Sequence, residues 1–231
     1  MKINLLEWDS TFFQIKIGEI FIENDEDDPI ELGDFNFDMI LAKGEREFML
    51  NITGFKNSYN GSLILFEKNI KTFSNNDVAN INTVKEGDHY NIEELYEIAY
   101  ESGKFSRFKM DRNFDQDAFK NLYMKWVENS LNSTFADEFL VFKDRENILG
   151  FITFKIQNGS CDIGLLGIKP GEQGKGIGGK LLAAVENKVL PQGVQNIKVK
   201  TQQVNVPAIN FYEVKGFREK RKNFIKHYWK K

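Results

Sequence analysis

The sequence contains a single cysteine, Cys161, so no disulfide bond can form within the chain. Such scarcity is typical of reducing compartments, and we expect a cytoplasmic protein. The sequence also lacks any apolar run that approaches the roughly 18 residues of a membrane-spanning helix. Its first residues, MKINLLEWDST, do not contain the long apolar core of a signal peptide. We therefore expect no membrane partner.

Positive charge is not in excess either. The 31 lysine and arginine residues do not outnumber the 34 aspartate and glutamate residues, and the formal net charge is −3. A chain without an overall basic excess is not expected to bind nucleic acid. The segment that starts at Lys215 is locally basic, which indicates a solvated face, with attraction of phosphate groups as the alternative.

Histidine is also scarce. The two histidines, His89 and His227, lie far from each other and from Cys161 in the sequence. This arrangement has no metal-ligand spacing, so we expect no metal. We interpret both histidines as structural and Cys161 as unreactive, because no base neighbours the thiol in the sequence.

What is present divides into two α/β regions. Residues 1–88 are predicted to form a small N-terminal domain, which ends in a polar, asparagine-rich linker at about 71–89. The predicted domain has an alternating strand at 15–22, apolar segments at 37–43 and 62–70, and a helix at 45–55.

Residues 89–231 are predicted to form the larger domain. The hydrophobic pattern gives two helices, three strands, a glycine-rich loop, and then helix, strand, helix and strand. This alternation predicts an α/β (α+β) fold, a mixed sheet with helices on both faces. Gly216 is expected to end the last helix, and residues 216–229 are interpreted as a pair of strands.

The glycine-rich loop, EQGKGIGGKLL, matches three phosphate-binding patterns. From Gly174 it fits the dinucleotide pattern G-x-G-x-x-G and most of the P-loop pattern G-x-x-x-x-G-K-[ST]. From Gln173 it fits Q-x-x-G-x-G, the pattern of a loop that holds the pyrophosphate of an acyl-CoA. In each case the glycines let backbone N–H groups converge on an anion at the start of a helix.

The surroundings of the loop separate the three patterns. A P-loop needs Ser or Thr after Gly-Lys to hold magnesium, and here Leu181 takes that place. The dinucleotide pattern needs an acidic residue about 20 positions on, and the stretch QGVQNIKVK has none. The acyl-CoA pattern needs an apolar strand, the loop, a helix, and then a strand and a helix that carries a tyrosine. All of these are present, so we favour the acyl-CoA loop.

The segments GIKPGEQGKGIGGKLL and NVPAINFYEVKGF resemble the GNAT superfamily of acyl-CoA N-acyltransferases over about residues 138–217. A finer resemblance links WDSTFF from Trp8, SRF from Ser106 and WVENS from Trp126 to the dTDP-fucosamine acetyltransferase family. Residues 23–90 carry none of these motifs. The resemblance implies acetyl-CoA as acyl donor and a nucleotide-sugar, dTDP-4-amino-4,6-dideoxygalactose, as acceptor.

The resemblance also implies which residues bind acetyl-CoA. Loop N–H groups would hold the pyrophosphate with help from Lys175, and the end of the preceding strand would pair with the pantetheine arm and offer an oxyanion donor. Gly167 fits a bulge that opens a slot for that arm, with a packing glycine as the alternative. The implied set is Leu166, Gly167, Ile168, Gln173, Gly174, Lys175, Gly176, Ile177, Gly178, Gly179 and Asn205.

Tyr212 resembles the family's general acid, which protonates the leaving thiolate. It stands four residues before Gly216, and the alternative is a core tyrosine. A phenol has a pKa of about 10 and a thiol a pKa of about 8.5, so the proton transfer is nearly matched. Asn205 would contact CoA, cap the following helix, or do both.

The acceptor side is less clearly marked in the sequence. Arg107 is a candidate for the nucleotide diphosphate, with a surface arginine as the alternative, and Asn129 and Ser130 are candidates for the sugar, with a helix end as the alternative. No general base is evident. Glu128 and Asp137 are candidates, and water is an alternative because the amine can arrive neutral.

Two other functions stay open at this point. The chain could be a GNAT enzyme that acts on a peptide, lysine or polyamine, or an acyl-CoA-binding module without catalysis. An acidic acceptor pocket would favour a polyamine, whereas a basic, aromatic-lined pocket would favour a nucleotide-sugar. A symmetric homodimer is the default expectation for assembly.

Overall fold

The computed structural model describes residues 3–23, 29–32, 36–74, 78–84 and 88–231. Ten strands lie within these ranges: β1 (Ile3–Leu5), β2 (Ile17–Ile22), β3 (Met39–Gly44), β4 (Phe55–Asn69), β5 (Ile81–Thr83), β6 (Glu138–Asp144), β7 (Asn147–Gln157), β8 (Ser160–Ile168), β9 (Asn196–Gln202) and β10 (Arg218–Lys230). The α-helices are α1 (Glu7–Phe13), α2 (Ile92–Ser102), α3 (Arg107–Met110), α4 (Gln116–Leu131), α5 (Ile177–Val189) and α6 (Val206–Val214), and a short 3-10 helix spans Leu190–Gln192.

All ten of these strands belong to one sheet, in the order β1-β2-β3-β10-β4-β9-β8-β7-β6-β5. Strands β2 and β3 are parallel, as are β8 and β9, and the other neighbours are antiparallel. The predicted mixed sheet is confirmed. The C-terminal strand β10 lies between β3 and β4, so the sheet crosses the predicted boundary near residue 88. That boundary stays a prediction.

Helices cover both faces of the sheet. Side chains alternate along β7, so that Phe151 packs with α2 and α4 while Ile152 packs with α5. The buried face of α2 includes Leu95 and Ile98, and that of α5 includes Leu181. The large number of phenylalanines therefore goes mainly into two cores, one on each side of the sheet.

Two predicted elements of the chain were wrong. Residues 45–54 are not helical, because Phe48 and Ile52, although spaced as on a helix, are buried from an extended chain that leads into β4. The terminal strand pair is one long strand, β10, which follows Gly216 at φ +87°. The linker at 71–89 contains β5, which pairs with β6 at the sheet edge.

Helix α1 and the short helix α3 were not predicted from the sequence.

Asp111, which is fully buried, links the chain after α3 to the sheet. Asp111 accepts hydrogen bonds from His227 Nδ1 at 2.7 Å, Trp229 Nε1 at 2.9 Å and Ser58 Oγ at 3.0 Å. It thereby joins the end of α3 to β4 and β10.

The fully buried His227 is the titratable member of this cluster. Burial lowers its pKa to about 4, against the opposing effect of the hydrogen bond to Asp111, and the charge of Arg107 acts in the same direction as burial. Its Nε2 atom has no hydrogen-bond partner among the described residues. A proton there would be a buried, unpaired donor, so the neutral ring is favoured.

Replacement of His227 by glutamine should therefore change how stability depends on pH. An unfolded histidine binds a proton near pH 6.5, whereas folded His227 does so near about 4. The unfolded state thus binds more protons in this window, and wild-type stability should fall by up to about 1.4 kcal/mol per pH unit as the pH drops from 6.5. Urea unfolding at pH 7 and pH 5 should show this fall in the wild type and a smaller one in His227→Gln.

His89 provides the matched control, because it is the other histidine and its side chain is exposed. His89→Gln should keep the wild-type pH dependence. Equal pH slopes in all three proteins would contradict the neutral, buried state of His227.

Candidate functional site

The site begins where β8 and β9 part. The two strands are paired only from Ser160 to Ile163 on β8, although β8 continues to Ile168. Beyond Ile163 the register of β8 on β7 shifts, so that Gly164 and Leu165 both lie opposite Thr153. Two residues against one make a β-bulge, which bends the strand. The bend opens a slot between β8 and β9.

Thr153 satisfies the backbone group that the bulge leaves without a strand partner. The Leu165 N–H donates to Thr153 Oγ1 at 2.9 Å, and Thr153 is only 1% exposed. A Cβ on Gly164 would lie 2.9 Å from the same oxygen, so a glycine lets the two strands approach here.

The bulge was predicted at Gly167, and this position is wrong. Gly167 pairs with Phe151 in regular register. A Cβ on Gly167 would lie 2.6 Å from Ile98 Cγ2, so this glycine allows α2 to pack closely on β8. The packing alternative fits Gly167, and Gly164, three residues earlier, is the glycine at the bulge.

The end of β8 presents backbone groups to the slot. The Lys169 N–H donates to Leu149 O of β7 at 2.9 Å. Because successive residues of a strand point their backbone groups to opposite sides, those of Leu166 and Ile168 point away from β7. The Ile168 carbonyl accepts from Gln173 Nε2 at 3.1 Å, and Leu166, on the slot side, has no partner on β9.

The glycine-rich loop then turns into α5 with a free helix start. Gly171, Gly174 and Gly176 have φ of +83°, +79° and +84°, values that other residues adopt only with strain. Helix α5 begins at Ile177, and no side chain caps its first N–H groups. Such a helix start binds anions through its open N–H groups and its partial positive charge.

The side chain of Gln173 forms hydrogen bonds within this loop. Besides its bond to Ile168 O, Gln173 accepts from Gly171 N at 2.9 Å through Oε1. Lys175, expected to contact the phosphates, instead pairs with Glu172 at 2.9 Å and is turned outward. The basic side chain beside the helix start is Lys215, whose Nζ would lie 2.8 Å from a Cβ on Gly179.

Slot and loop together form a groove of about 600 Å³, called here the loop groove. Of the predicted acyl-CoA residues, all but Lys175 line it: Leu166, Gly167, Ile168, Gln173, Gly174, Gly176, Ile177, Gly178, Gly179 and Asn205. Lys215 lines it as well, although the sequence marked it only as the start of a basic segment. Its position depends on the end of α6 packing against α5, which no local pattern encodes.

A second cavity of about 350 Å³, called here the basic cavity, adjoins the loop groove. The two share six lining residues: Ser102, Phe105, Leu166, Asn205, Ala208 and Tyr212. Tyr212 therefore stands where the two spaces meet. Asn205 stands beside it and caps α6, since its Oδ1 accepts from the Ala208 N–H at 3.3 Å.

Tyr212 is only 5% exposed and packs among aromatic rings. Its ring lies 5.2 Å from that of Phe211 and 5.4 Å from that of Phe217. Burial raises the pKa of its hydroxyl, which is therefore a proton-bearing group at neutral pH. No described residue forms a hydrogen bond with the hydroxyl, so it is available to a ligand.

The basic cavity takes its name from its charges. Three cations line it, Lys43, Arg107 and Lys200, against one carboxylate among the described lining residues, Asp9. Besides Tyr212, four aromatic side chains form much of its wall: Phe105, Phe108, Tyr123 and Trp126.

Arg107 is the most constrained of these cations. Burial lowers its pKa, against the raising effect of the nearby Asp9 charge. Its guanidinium stacks over the Phe108 ring at 4.5 Å and has no hydrogen bond to any residue that the structure describes. A guanidinium has five donors, so this one is open to a polar or anionic ligand.

The other predicted acceptor-side residues are placed elsewhere. Asn129 and Ser130 lie in the last turn of α4 and line neither cavity, and Ser130 Oγ donates to Trp126 O at 2.8 Å. Glu128 accepts from Tyr96 at 3.1 Å, and Asp137 accepts from Ile156 N at 2.6 Å. The backbone carbonyl of Asn129 accepts from the Thr134 N–H at 2.8 Å. All four residues thus have structural contacts. Their predicted roles in binding or catalysis rest on the sequence alone.

Two further features were sought in the described part of the chain. No three of its His, Cys, Asp or Glu side chains are grouped as ligands of a metal ion. None of its helices combines the length and the apolar character that crossing a membrane requires.

Curated proteins that are similar to this chain include one from Bacillus subtilis and one from Escherichia coli. The chain is 30% identical over 137 residues to the spore coat polysaccharide biosynthesis protein SpsD of Bacillus subtilis, covering 59% of this chain and 47% of SpsD. It is 28% identical over 127 residues to the dTDP-fucosamine acetyltransferase of Escherichia coli, covering 54% of each. The chain thus spans about half the length of these relatives.

Solved structures share the fold. A conserved protein of unknown function from Staphylococcus epidermidis superposes with a TM-score of 0.60 at 16% identity, covering 84% of this chain and 73% of that one. A GCN5-related N-acetyltransferase from Sphaerobacter thermophilus gives a TM-score of 0.53 at 13% identity, covering 82% and 59%.

The family model of the acetyltransferase (GNAT) family matches residues 92–217, a range that contains α2, the bulged strand, the glycine-rich loop and Tyr212. Because this match covers more than half of the sequence, the chain belongs to the GNAT family of acyltransferases.

Proposed function

We propose that the chain transfers an acetyl group from acetyl-CoA to the amine of a dTDP-linked 4-amino-4,6-dideoxy sugar. The observation that carries the proposal is the junction at Tyr212. There a groove built for a phosphate-bearing, extended ligand meets a basic, aromatic cavity. Two substrates bound in these spaces would have their reactive ends side by side, which is the main requirement of a direct transfer.

The loop groove fits acetyl-CoA, which supplies the acetyl group as a thioester. The open N–H groups at the start of α5 would bind the pyrophosphate, and Lys215 would add a charge-assisted contact. The pantetheine arm would lie in the slot along Leu166 and Ile168. The Leu166 N–H is the candidate donor to the thioester oxygen, on which negative charge develops.

The basic cavity fits an anionic acceptor better than a polyamine. Three cations face one carboxylate, and Arg107 has open donors suited to a diphosphate. The aromatic wall, with Phe105 and Trp126, offers flat surfaces for a base or a sugar ring. The names of the relatives from Bacillus subtilis and Escherichia coli, which concern polysaccharide biosynthesis and an amino-sugar acetyltransferase, point in the same direction.

Tyr212 would act as general acid. The ammonium first loses a proton to water. The amine nitrogen then forms a bond to the acetyl carbon and loses a second proton to water, the carbon–sulfur bond breaks, and the Tyr212 hydroxyl gives its proton to the sulfur. The tyrosinate regains a proton from water. Burial keeps the Tyr212 hydroxyl protonated until the transfer. The thiolate of CoA would leave into the same apolar surroundings, which disfavour its charged form. Its pKa is therefore raised, and proton transfer from Tyr212 becomes more favourable.

A thiol-release assay with a panel of amines tests the proposal. The panel holds dTDP-4-amino-4,6-dideoxygalactose, its 4-epimer, a 3-amino analogue, spermidine and short peptides. We expect CoA release with a dTDP-amino sugar and little with spermidine, because the basic cavity repels a polycation. Release only with a peptide or spermidine would replace the proposed acceptor, and tight acetyl-CoA binding without any release would indicate a non-catalytic module.

Tyr212→Phe should lower kcat by about 100-fold or more, the range that general acid catalysis contributes. The affinity for acetyl-CoA, measured by calorimetry, should stay within about twofold, because the ring packing is retained. Tyr100→Phe serves as control, since Tyr100 lies on α2 and lines neither cavity. An unchanged kcat in Tyr212→Phe across the pH range would remove Tyr212 from its proposed role.

Lys215→Ala should weaken CoA binding by about threefold to tenfold, whereas Lys175→Ala should change it little. Lys215 is near the helix start, while Lys175 is occupied by Glu172. A charge-assisted contact with a partly exposed phosphate is worth about 1 kcal/mol, and the effect should shrink as salt rises. If calorimetry shows that Lys175→Ala weakens CoA binding more than Lys215→Ala does, the phosphate contact belongs to Lys175, as the sequence predicted.

A further inference from the structure

The motif WDSTFF places an acidic side chain, Asp9, in the wall of the basic cavity. Asp9 is half-buried on α1, and it is the one carboxylate among the described residues that line this cavity. The base candidates taken from the sequence, Glu128 and Asp137, do not reach it.

The neighbours of Asp9 on α1 have structural contacts that hold the helix in place. Trp8 stacks on Phe12 with ring centroids 5.2 Å apart, and Phe13 lies 4.8 Å from the Phe114 ring. Ser10 Oγ accepts from the Ile17 N–H at 3.0 Å. These contacts account for the aromatic and serine positions of the motif, and they leave Asp9 and the exposed Thr11. Of these two, Asp9 is the one that lines the basic cavity.

The Asp9 carboxylate has no hydrogen bond or ion pair with any of the described residues. Its charge acts on Arg107, whose guanidinium likewise has no hydrogen bond to any described residue. The third charge nearby, Lys43, is matched by Glu19. The fourth, Lys200, is exposed and has no ion pair with any described residue. The cavity thus offers one open carboxylate, Asp9, close to the open guanidinium of Arg107, with Lys200 as a further open cation. This arrangement is complementary to a ligand that carries an ammonium and an anionic group.

We infer that Asp9 binds the ammonium group of the acceptor while Arg107 binds its anionic part, so that Asp9 selects an amino sugar over the corresponding hydroxy sugar. This inference rests on the proposed function. Both Asp9 and Tyr212 line the same small cavity, so an amine held by Asp9 would stay within the space next to the transfer point. The role is one of binding and positioning, and it assigns no proton transfer to Asp9.

Calorimetry with two ligands tests the inference without requiring turnover. The first is dTDP-4-amino-4,6-dideoxygalactose, and the second is dTDP-6-deoxygalactose, which has a hydroxyl in place of the amine. In the wild type we expect the amino sugar to bind about tenfold tighter or more, the range of a charge-assisted hydrogen bond. In Asp9→Asn this preference should fall to near one, while the hydroxy sugar binds as well as before or better, because Arg107 loses a neutralising neighbour.

Two variants control for folding and for charge alone. Glu7→Gln removes an exposed carboxylate from the same helix outside the cavity and should keep the wild-type preference. Asp9→Glu keeps the charge and should retain part of the preference, which a merely structural role of Asp9 would not explain.

The possible results separate the inference from the function on which it rests. If Asp9→Asn keeps the tenfold preference, or weakens both sugars equally, the inference is overturned while the proposed acceptor stands. If the wild type binds neither sugar, the proposed acceptor fails and the inference fails with it.

Discussion

The separation of β8 from β9 is the feature on which the site depends. The Thr153 hydroxyl stabilises this separation, because its oxygen accepts a hydrogen bond from the Leu165 N–H, which the bulge leaves without a strand partner. An unpaired N–H at such a buried position would cost about 1–3 kcal/mol. Without the bulge the two strands would continue to pair, and the backbone groups of Leu166 would form hydrogen bonds with β9. The slot, the loop groove and the junction at Tyr212 would then be lost together.

The basic cavity depends on the sheet in a different way. Its charged residues come from α1, β3, α3 and β9, elements from both sides of the predicted boundary near residue 88. Strand β10 connects them, since it pairs with β3 and β4 and carries His227 and Trp229 to Asp111. The cluster around Asp111 fixes the chain just after Arg107. The region that the family model matches supplies Tyr212, the loop groove, and Arg107 and Lys200 of the basic cavity, while Asp9 and Lys43 come from outside that region.

Local patterns in the sequence were enough to predict the fold and much of the loop groove. Gln173, Gly174, Gly176 and Tyr212 belong to contiguous segments whose spacing carries the chemistry, and the structure gathers them at one groove. Predictions that needed tertiary information were weaker. Phe48 and Ile52 have helical spacing but are buried from an extended chain, and two glycines on β8 gave no sign of which one bulges.

The residues proposed for the acceptor show the same limit. Asn129 and Ser130 stand in a motif with the right chemistry, yet the helix turns them into its own last turn. Asp9 stood in a motif that was noticed only for its resemblance, and no local pattern could show that its carboxylate faces Arg107. That proximity follows from α1 and α3 being packed together through Phe13 and Phe108, whose rings lie 5.4 Å apart.

The contrast between Asp111 and Asp9 gives a physical criterion for separating structure from function in this chain. Asp111 is fully buried, and hydrogen bonds from His227 and Trp229 hold its pKa well below its usual range although burial alone would raise it. Its oxygens are occupied by protein donors, so nothing remains for a ligand. Asp9 lies on a helix held by aromatic stacking, lines a cavity, and has no donor from the described protein. A carboxylate kept in place by its neighbours' contacts, while its own oxygens stay open, is arranged to receive a donor from outside the chain.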